Sequence, residues 1–246
     1  MKHAVILAHP KASSLNASIA GACVRTLEGL GHSVLVRDLY AIGFDPRLQA
    51  GEIPADTGFA PAPDVLAERA ALADVDSFIF VYPFWFNAPP AMLKGYVDRI
   101  FGMGFGYAPG SKPLLGGRTL FSISTSGAPD HWVNSTGALR SLMEVFDFHL
   151  GGVCGLKPID HVHFGGVVSN LTEEAAEDML SQVHARLGVA FLASTVGVDV
   201  TAPPGAPASL RNWLTEKADV ERAANGAAER LEGLVRKVVA YPQQEG

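Results

Sequence analysis

Short apolar runs alternate along this chain with segments whose apolar residues recur every three or four positions. Residues 3–9 are nearly all apolar and read as a strand. From Leu15 onward Leu15, Ile19, Cys23, Leu27 and Leu30 share one helical face, and Gly31 stops the helix. Residues 33–39 form a second strand. Residues 40–64, rich in Gly, Pro and Asp, read as a long loop, and 65–73 as a short helix. The run 77–82 (SFIFVY) is almost continuously apolar, as expected of a strand covered on both faces. Residues 91–101 are helical, 118–125 a strand and 138–150 helical. A fifth strand lies within 153–164, interrupted at Pro158. Thr172 caps a helix that carries Leu180, Val183, Leu187 and Phe191 on one face.

Strands separated by helices at this spacing are βαβ units. They predict an α/β fold, a five-stranded parallel sheet with helices on both faces. Past Val200 the texture changes to a Pro/Gly linker (TAPPGAPAS) and a last amphipathic pattern at Leu231, Leu234, Val235 and Val238. The expected division is one domain over 1–200 and a C-terminal helical extension over 201–246 that packs on the domain or on a partner subunit.

Composition narrows the partners. The 246 residues are 48% hydrophobic and carry a net charge of −6 with no Lys/Arg run, which argues against nucleic acid. The apolar run 4–8 is too short for a signal-peptide core, and no stretch reaches the length of a membrane span. The two cysteines, Cys23 and Cys154, have no C-x-x-C spacing and read as buried small hydrophobes. The expectation is a cytoplasmic chain.

In an open parallel sheet, ligands bind at the carboxyl ends of the strands. Three such ends carry chemistry here. The first, His9-Pro10-Lys11-Ala12-Ser13-Ser14-Leu15-Asn16, offers hydroxyls, an amide and the free N–H groups of a helix N-terminus, a ready phosphate site as well as an ordinary cap. The second, YPFWFNAPP over 82–90, is an aromatic wall stiffened by prolines. The third, Ser124-Thr125-Ser126-Gly127, is small and polar and lets a backbone approach a ring edge. Phosphate site, flat wall and polar edge together describe a mononucleotide-like cofactor with a planar head. No G-x-x-x-x-G-K-[ST] loop is present, so flavin fits better than ATP. GMGFGYAPG lacks dinucleotide spacing, and no G-x-S-x-G elbow exists. His161 and His163 would share one strand face, but nothing nearby completes a metal site, so they read as solvent or core histidines and no metal is assigned.

The segments HPKASSLN, DLYAIGFDP, YPFWFNAPPAMLKGYVDRIF, GFGY, STSG and CG run in order over roughly the first 160 residues. In them the chain resembles the NAD(P)H:quinone oxidoreductase family, the DT-diaphorase-like flavoproteins with a flavodoxin-like fold. The resemblance implies that His9, Ser13, Leu15 and Asn16, with Ser14 beside them, hold the flavin phosphate or diphosphate. It implies that Pro83, Phe84, Trp85, Phe86 and Asn87 flank the isoalloxazine, with backbone N–H groups of 84–86 addressing its N5. Ser124, Thr125, Ser126 and Gly127 then face its pyrimidine edge, stabilising negative charge there. Tyr107 closes the substrate pocket from the partner subunit of a homodimer whose active sites lie at the interface. His131, Trp132 and Leu156 fall in the same pocket. Trp132 stands where the mammalian branch has a tyrosine and Leu156 where it has a phenylalanine, so the charge relay of that branch is not carried over and no catalytic residue is assigned. The implied activity is ping-pong two-electron reduction of quinones or similar small acceptors by NAD(P)H, with FAD as the flavin and FMN as the alternative. A regulatory flavoprotein subunit and a flavodoxin-type electron carrier are the competing readings.

Overall fold

The computed structural model describes residues 1–54 and 58–196, with side chains as far as Phe191. Five strands, β1 (Lys2–Leu7), β2 (Ser33–Asp38), β3 (Ser77–Pro83), β4 (Thr119–Thr125) and β5 (Lys157–Phe164), form one parallel sheet in the order β2-β1-β3-β4-β5. The order reverses direction between β1 and β3. The connections that leave these two strands pass to opposite faces of the sheet, into α1 (Leu15–Gly29) on one and α3 (Ala91–Ile100) on the other, and leave between them the crevice in which such sheets bind ligands.

Helices cover both faces. On one face α1 (Leu15–Gly29) and α7 (Glu173–Val196) bury Ile19, Cys23, Leu27, Val183, Leu187 and Phe191 against Val5, Ile79, Val81, Phe121 and Ile123. On the other, α2 (Pro63–Ala71), α3 (Ala91–Ile100), α4 (Asp130–Ser135), α5 (Ala138–Leu142) and α6 (His149–Cys154) pack on Ala4, Ile6, Phe78, Phe80 and Tyr82. β3 is buried at every position because both faces are covered, as its unbroken apolar run predicts.

Four expectations change. The segment 138–150 is not one helix: a π-helical turn at Met143–Phe148 separates α5 from α6. α4 precedes it and has no apolar period of its own. β5 begins at Lys157, not near Val153, since Val153 and Cys154 belong to α6. Pro158 sits inside β5 without breaking it. β5 is an edge strand, and its pairing with β4 slips beside Leu120 and Phe121, where a missing N–H is tolerated. The described residues of the loop 40–64 are also tied down. The guanidinium of Arg99, on α3, is 2% exposed and bonds Glu52 and Asp64, each at 2.7 Å, and the carbonyl of Asp45 at 2.6 Å. The expected extension at 201–246 lies outside the described residues.

Candidate active site

The first strand end turns into α1 through Ser14, which is extended (φ −81°) and whose Oγ accepts from the N–H of Ala17 at 3.2 Å. That is a conventional N-cap, and it leaves the first-turn amides without intrahelical acceptors. Asn16, in the first turn of α1, is buried. Its Nδ2 donates to Thr125 Oγ1 at 2.8 Å, while its Oδ1 has no partner. At Ala8 the chain crosses to β3, donating to Val81 O at 3.0 Å. His9 then accepts from Lys11 N through Nδ1 at 3.0 Å, and its ring centroid lies 5.8 Å from that of Trp85.

Thr125 and Ser126 tie the strand ends together. Thr125 O accepts from Phe84 N at 2.6 Å, Ser126 N donates to Phe164 O at 2.9 Å, and Ser126 O accepts from Val167 N at 2.8 Å. Loops from β1, β3, β4 and β5 are thereby joined around two consecutive residues. They enclose a cleft of about 370 Å³, in the size range of small-molecule sites.

Of the residues assigned from sequence, His9, Ser13, Ser14, Leu15, Asn16, Pro83, Trp85, Thr125, Ser126 and Gly127 line this cleft. Phe84 lies beneath it, buried against His163 with ring centroids 5.7 Å apart. Its N–H, which the resemblance aimed at a ring nitrogen, is engaged by Thr125. The N–H of Trp85 is likewise engaged by Ala88 O at 3.1 Å, and Ala88 N returns to Trp85 O at 3.0 Å. Between them Phe86 (φ 50°) and Asn87 (φ 56°) both take positive φ, the backbone of a type I′ turn. Phe86 is fully exposed. Ser124 is buried below the cleft floor.

The substrate-pocket set is dispersed. Tyr107 lines a second hollow of about 240 Å³ with Phe101, Val145, Phe146, His149 and Val153. Leu156 is in the core, and His131 and Trp132 are exposed on α4. Lys11, Val167, Val168, Ser169 and Leu171 line the main cleft without having been singled out from sequence. The last four belong to the β5 end. Their signal was positional: a fourth strand finishes on the same edge, and Gly165, whose N–H donates to Asp130 Oδ1 at 2.6 Å, turns its loop inward.

Neither cysteine is a nucleophile here: burial pushes Cys23 up to about 12 and Cys154 up to about 11. Among the described residues no cluster of His, Cys, Asp or Glu could hold a metal ion, and no helix is long and apolar enough to cross a membrane.

A family model described as having a flavodoxin-like fold matches residues 1–187. The chain belongs to this flavodoxin-like family. A Haemophilus influenzae protein named as an uncharacterized NAD(P)H oxidoreductase is 29% identical over 191 residues, covering 76% of this chain and 93% of that protein. NAD(P)H dehydrogenase [quinone] 1 of Cavia porcellus is 31% identical over 145 residues, 50% of this chain and 53% of that enzyme. The chain thus spans about half the length of that mammalian relative. Among solved structures, the NAD(P)H:quinone oxidoreductase of Methanothermobacter marburgensis superposes with a TM-score of 0.66 at 25% identity, over 75% of this chain and 93% of that one. The flavodoxin-like assignment agrees with the strand order and with the position of the cleft at the β1/β3 reversal.

Proposed function

We propose that the chain is a flavin-dependent NAD(P)H oxidoreductase that reduces quinones or similar small electrophiles, with FAD as its flavin and FMN as the alternative. The observation that carries this reading is the four-loop cleft with one buried, unpartnered acceptor on its wall, Asn16 Oδ1. A buried acceptor without a donor costs free energy, and a ligand hydroxyl would relieve it. Phosphate cannot, because it brings acceptors only. Asn16 therefore fits the hydroxylated chain of a flavin, and the phosphate falls to Lys11, Ser13 and the first-turn amides of α1.

When bound, the flavin supplies two-electron transfer between a nicotinamide and a quinone that occupy one place in turn. The protein's share is position and field. Asn16 and Thr125 would fix the middle of the cofactor from opposite sides of one hydrogen bond. Trp85, partly exposed and tilted against His9, would flank the ring and narrow the water path to it. The amide of Gly127 would present a donor to the polar ring edge, where it acts as a preorganised dipole.

The active unit in this reading is a homodimer. Phe86, Trp132, Val145 and Phe148 are 105%, 45%, 71% and 52% exposed, which is costly in water and ordinary under a second copy. Tyr107 lies outside the main cleft of its own chain, which fits the reading that it serves the partner's.

The test is direct. The purified protein should be yellow, release a flavin of FAD or FMN mass on denaturation, and oxidise NAD(P)H at a rate that depends on added quinone. A colourless protein that takes up neither FAD nor FMN overturns the reading.

A further inference from the structure

Below the cleft floor, polar side chains from three elements form one continuous line inside an otherwise apolar layer. Asp147, on the π-helical turn and 2% exposed, accepts from Ser122 Oγ at 2.8 Å through Oδ1 and meets His161 Nδ1 at 2.5 Å through Oδ2. His161 Nε2 lies 2.8 Å from Ser124 Oγ. The same Oγ lies 2.8 Å from His163 Nδ1, and His163 Nε2 lies 3.0 Å from Ser126 Oγ. Ser126 Oγ, on the cleft wall, is 2.9 Å from Ala128 O. The histidines share a strand face because they are two apart on β5, and Ser122, Ser124 and Ser126 alternate on β4 and its end for the same reason.

Counting hydrogens shows what this line can do. The ionised Asp147 fixes a hydrogen on His161 Nδ1. Beyond it stand four contacts: His161–Ser124, Ser124–His163, His163–Ser126 and Ser126–Ala128. With both imidazoles neutral, Ser124, His163 and Ser126 bring one hydrogen each, three for four contacts. One more proton fills the line, with every bond pointing from His161 toward Ala128. Removing it through Ser126 reverses the three bonds between His161 and Ser126 and leaves the Ser126–Ala128 contact without a hydrogen.

We propose that Asp147, His161, Ser124, His163 and Ser126 form a one-proton relay whose open end is the Ser126 hydroxyl in the cleft and whose store is His161 against the Asp147 carboxylate. On loading, a proton from water in the cleft bonds to Ser126 Oγ. The hydrogen that Ser126 held passes to His163 Nε2, that on His163 Nδ1 to Ser124 Oγ, and that of Ser124 to His161 Nε2. The charge comes to rest on His161, 2.5 Å from a carboxylate. Unloading runs the same transfers backward. No bond between heavy atoms changes, and one proton crosses. The relay thus matches negative charge gained or lost in the cleft with a proton drawn beneath it. Only that last role rests on the flavin reading.

The surroundings keep the charge where the hydrogen count puts it. His163 is held down to about 4, by burial first, with Asp130 opposing and His161 adding to the fall, so it transmits without holding the charge. From β3, Tyr82 faces His161 with ring centroids 6.3 Å apart. Burial and then Asp147 keep its phenol far above its ordinary value, so it stays protonated. Asp160 accepts the backbone N–H of His161 and is paired with Arg186 on α7.

The test is nitrogen-15 NMR of labelled histidine in the full-length chain, which reads the tautomer of each ring. As pH falls, His161 should become doubly protonated while His163, still neutral, moves its hydrogen from Nδ1 to Nε2 with the same midpoint. Ser124→Ala, if it folds, should uncouple the two rings. Flavin-loaded protein reduced without air at fixed pH should show a larger doubly protonated fraction of His161. A His163 that keeps one tautomer throughout, or that itself becomes the charged ring, overturns the relay. A His161 fraction unmoved by reduction of the loaded protein overturns the relay's role in matching charge in the cleft. If the chain binds no flavin the proposed function falls, but the titration of the unloaded chain still decides the relay.

Discussion

Asn16 Nδ2 donates to Thr125 Oγ1 at 2.8 Å across 109 residues of chain. One bond joins the helix that follows the first strand to the end of the fourth, and it leaves Asn16 Oδ1 as the only unmatched side of that amide. Ser13 is exposed at the mouth of the same cleft.

Asn16→Ala with Ser13→Ala should therefore weaken flavin retention. The lost bond to Thr125 should cost about 1–3 kcal/mol of stability, almost all from Asn16, since Ser13 is solvated. Flavin titration of each single variant, read by fluorescence, separates the two residues. Unchanged flavin affinity in the double variant would remove this loop from the cofactor site.

Phe86 and Asn87 hold a turn that suits Asn-Gly, and a bulky residue at positive φ stores strain of roughly 1–3 kcal/mol. Phe86→Gly should leave the isolated chain as stable as before or more so, by about 1 kcal/mol. It should also weaken self-association, because the turn would no longer present an aromatic ring. Urea unfolding and sedimentation on one sample check both. A less stable variant with intact association means the ring packs within its own chain.

Burial, and then the neighbouring His32, lowers His3 to about 4. Its folded value lies below that of the unfolded chain, near 6.5, so the unfolded state takes the proton more readily. The stability it contributes is complete above pH 6.5 and is lost as pH falls toward 4. The loss between pH 7 and 5 is roughly 2 kcal/mol for such a histidine. The urea midpoint should fall over that interval, and His3→Gln should reduce the fall, leaving the share of His163, which burial also holds down to about 4, and of His32, which burial also lowers. Glu52 and Asp64, both lowered first by their bonds to Arg99, act only below the ordinary carboxylate range. A midpoint level from pH 7 to 5 contradicts the assignment to His3.

Gly95 lies in the segment AMLKGYVDRIF, and its place is explained by packing. A Cβ there would stand 2.1 Å from Pro46 O and 2.5 Å from Pro46 Cβ. Gly95→Ala must push the 40–46 loop off α3, and overpacking of this kind costs about 1–3 kcal/mol or more. Gly152, where a Cβ meets nothing, is the control: Gly152→Ala should be tolerated. Thermal unfolding of the pair gives the comparison.

The five parallel strands and the cleft edge were readable because burial on two faces leaves apolar runs, and because ligands in such a sheet sit at the carboxyl ends of its strands. The relay was not readable. His161 and His163 show a strand period, but their counterpart Asp147 lies in a segment whose sequence reads as continuous helix, and nothing local marks the π-helical turn. Arg99, Glu52 and Asp64 look like solvated charges individually, and only the folded chain buries the Arg99 guanidinium between the two carboxylates. The β5 loop was missed for a plainer reason: Val167, Val168 and Ser169 carry no chemistry of their own and contribute shape. The turn at Phe86 was legible as aromatic and illegible as strained, since no residue in FWFNA announces positive φ.

Thr125 receives both the amide of Phe84 and the side chain of Asn16, and Ser126 is bonded to the chain on either side of Gly165. The consequence is thermodynamic. Four loops that would otherwise fluctuate independently lose that freedom when the chain folds, before any ligand arrives. A ligand entering the cleft meets little further loss of entropy in its walls, so its own contacts register almost fully as affinity.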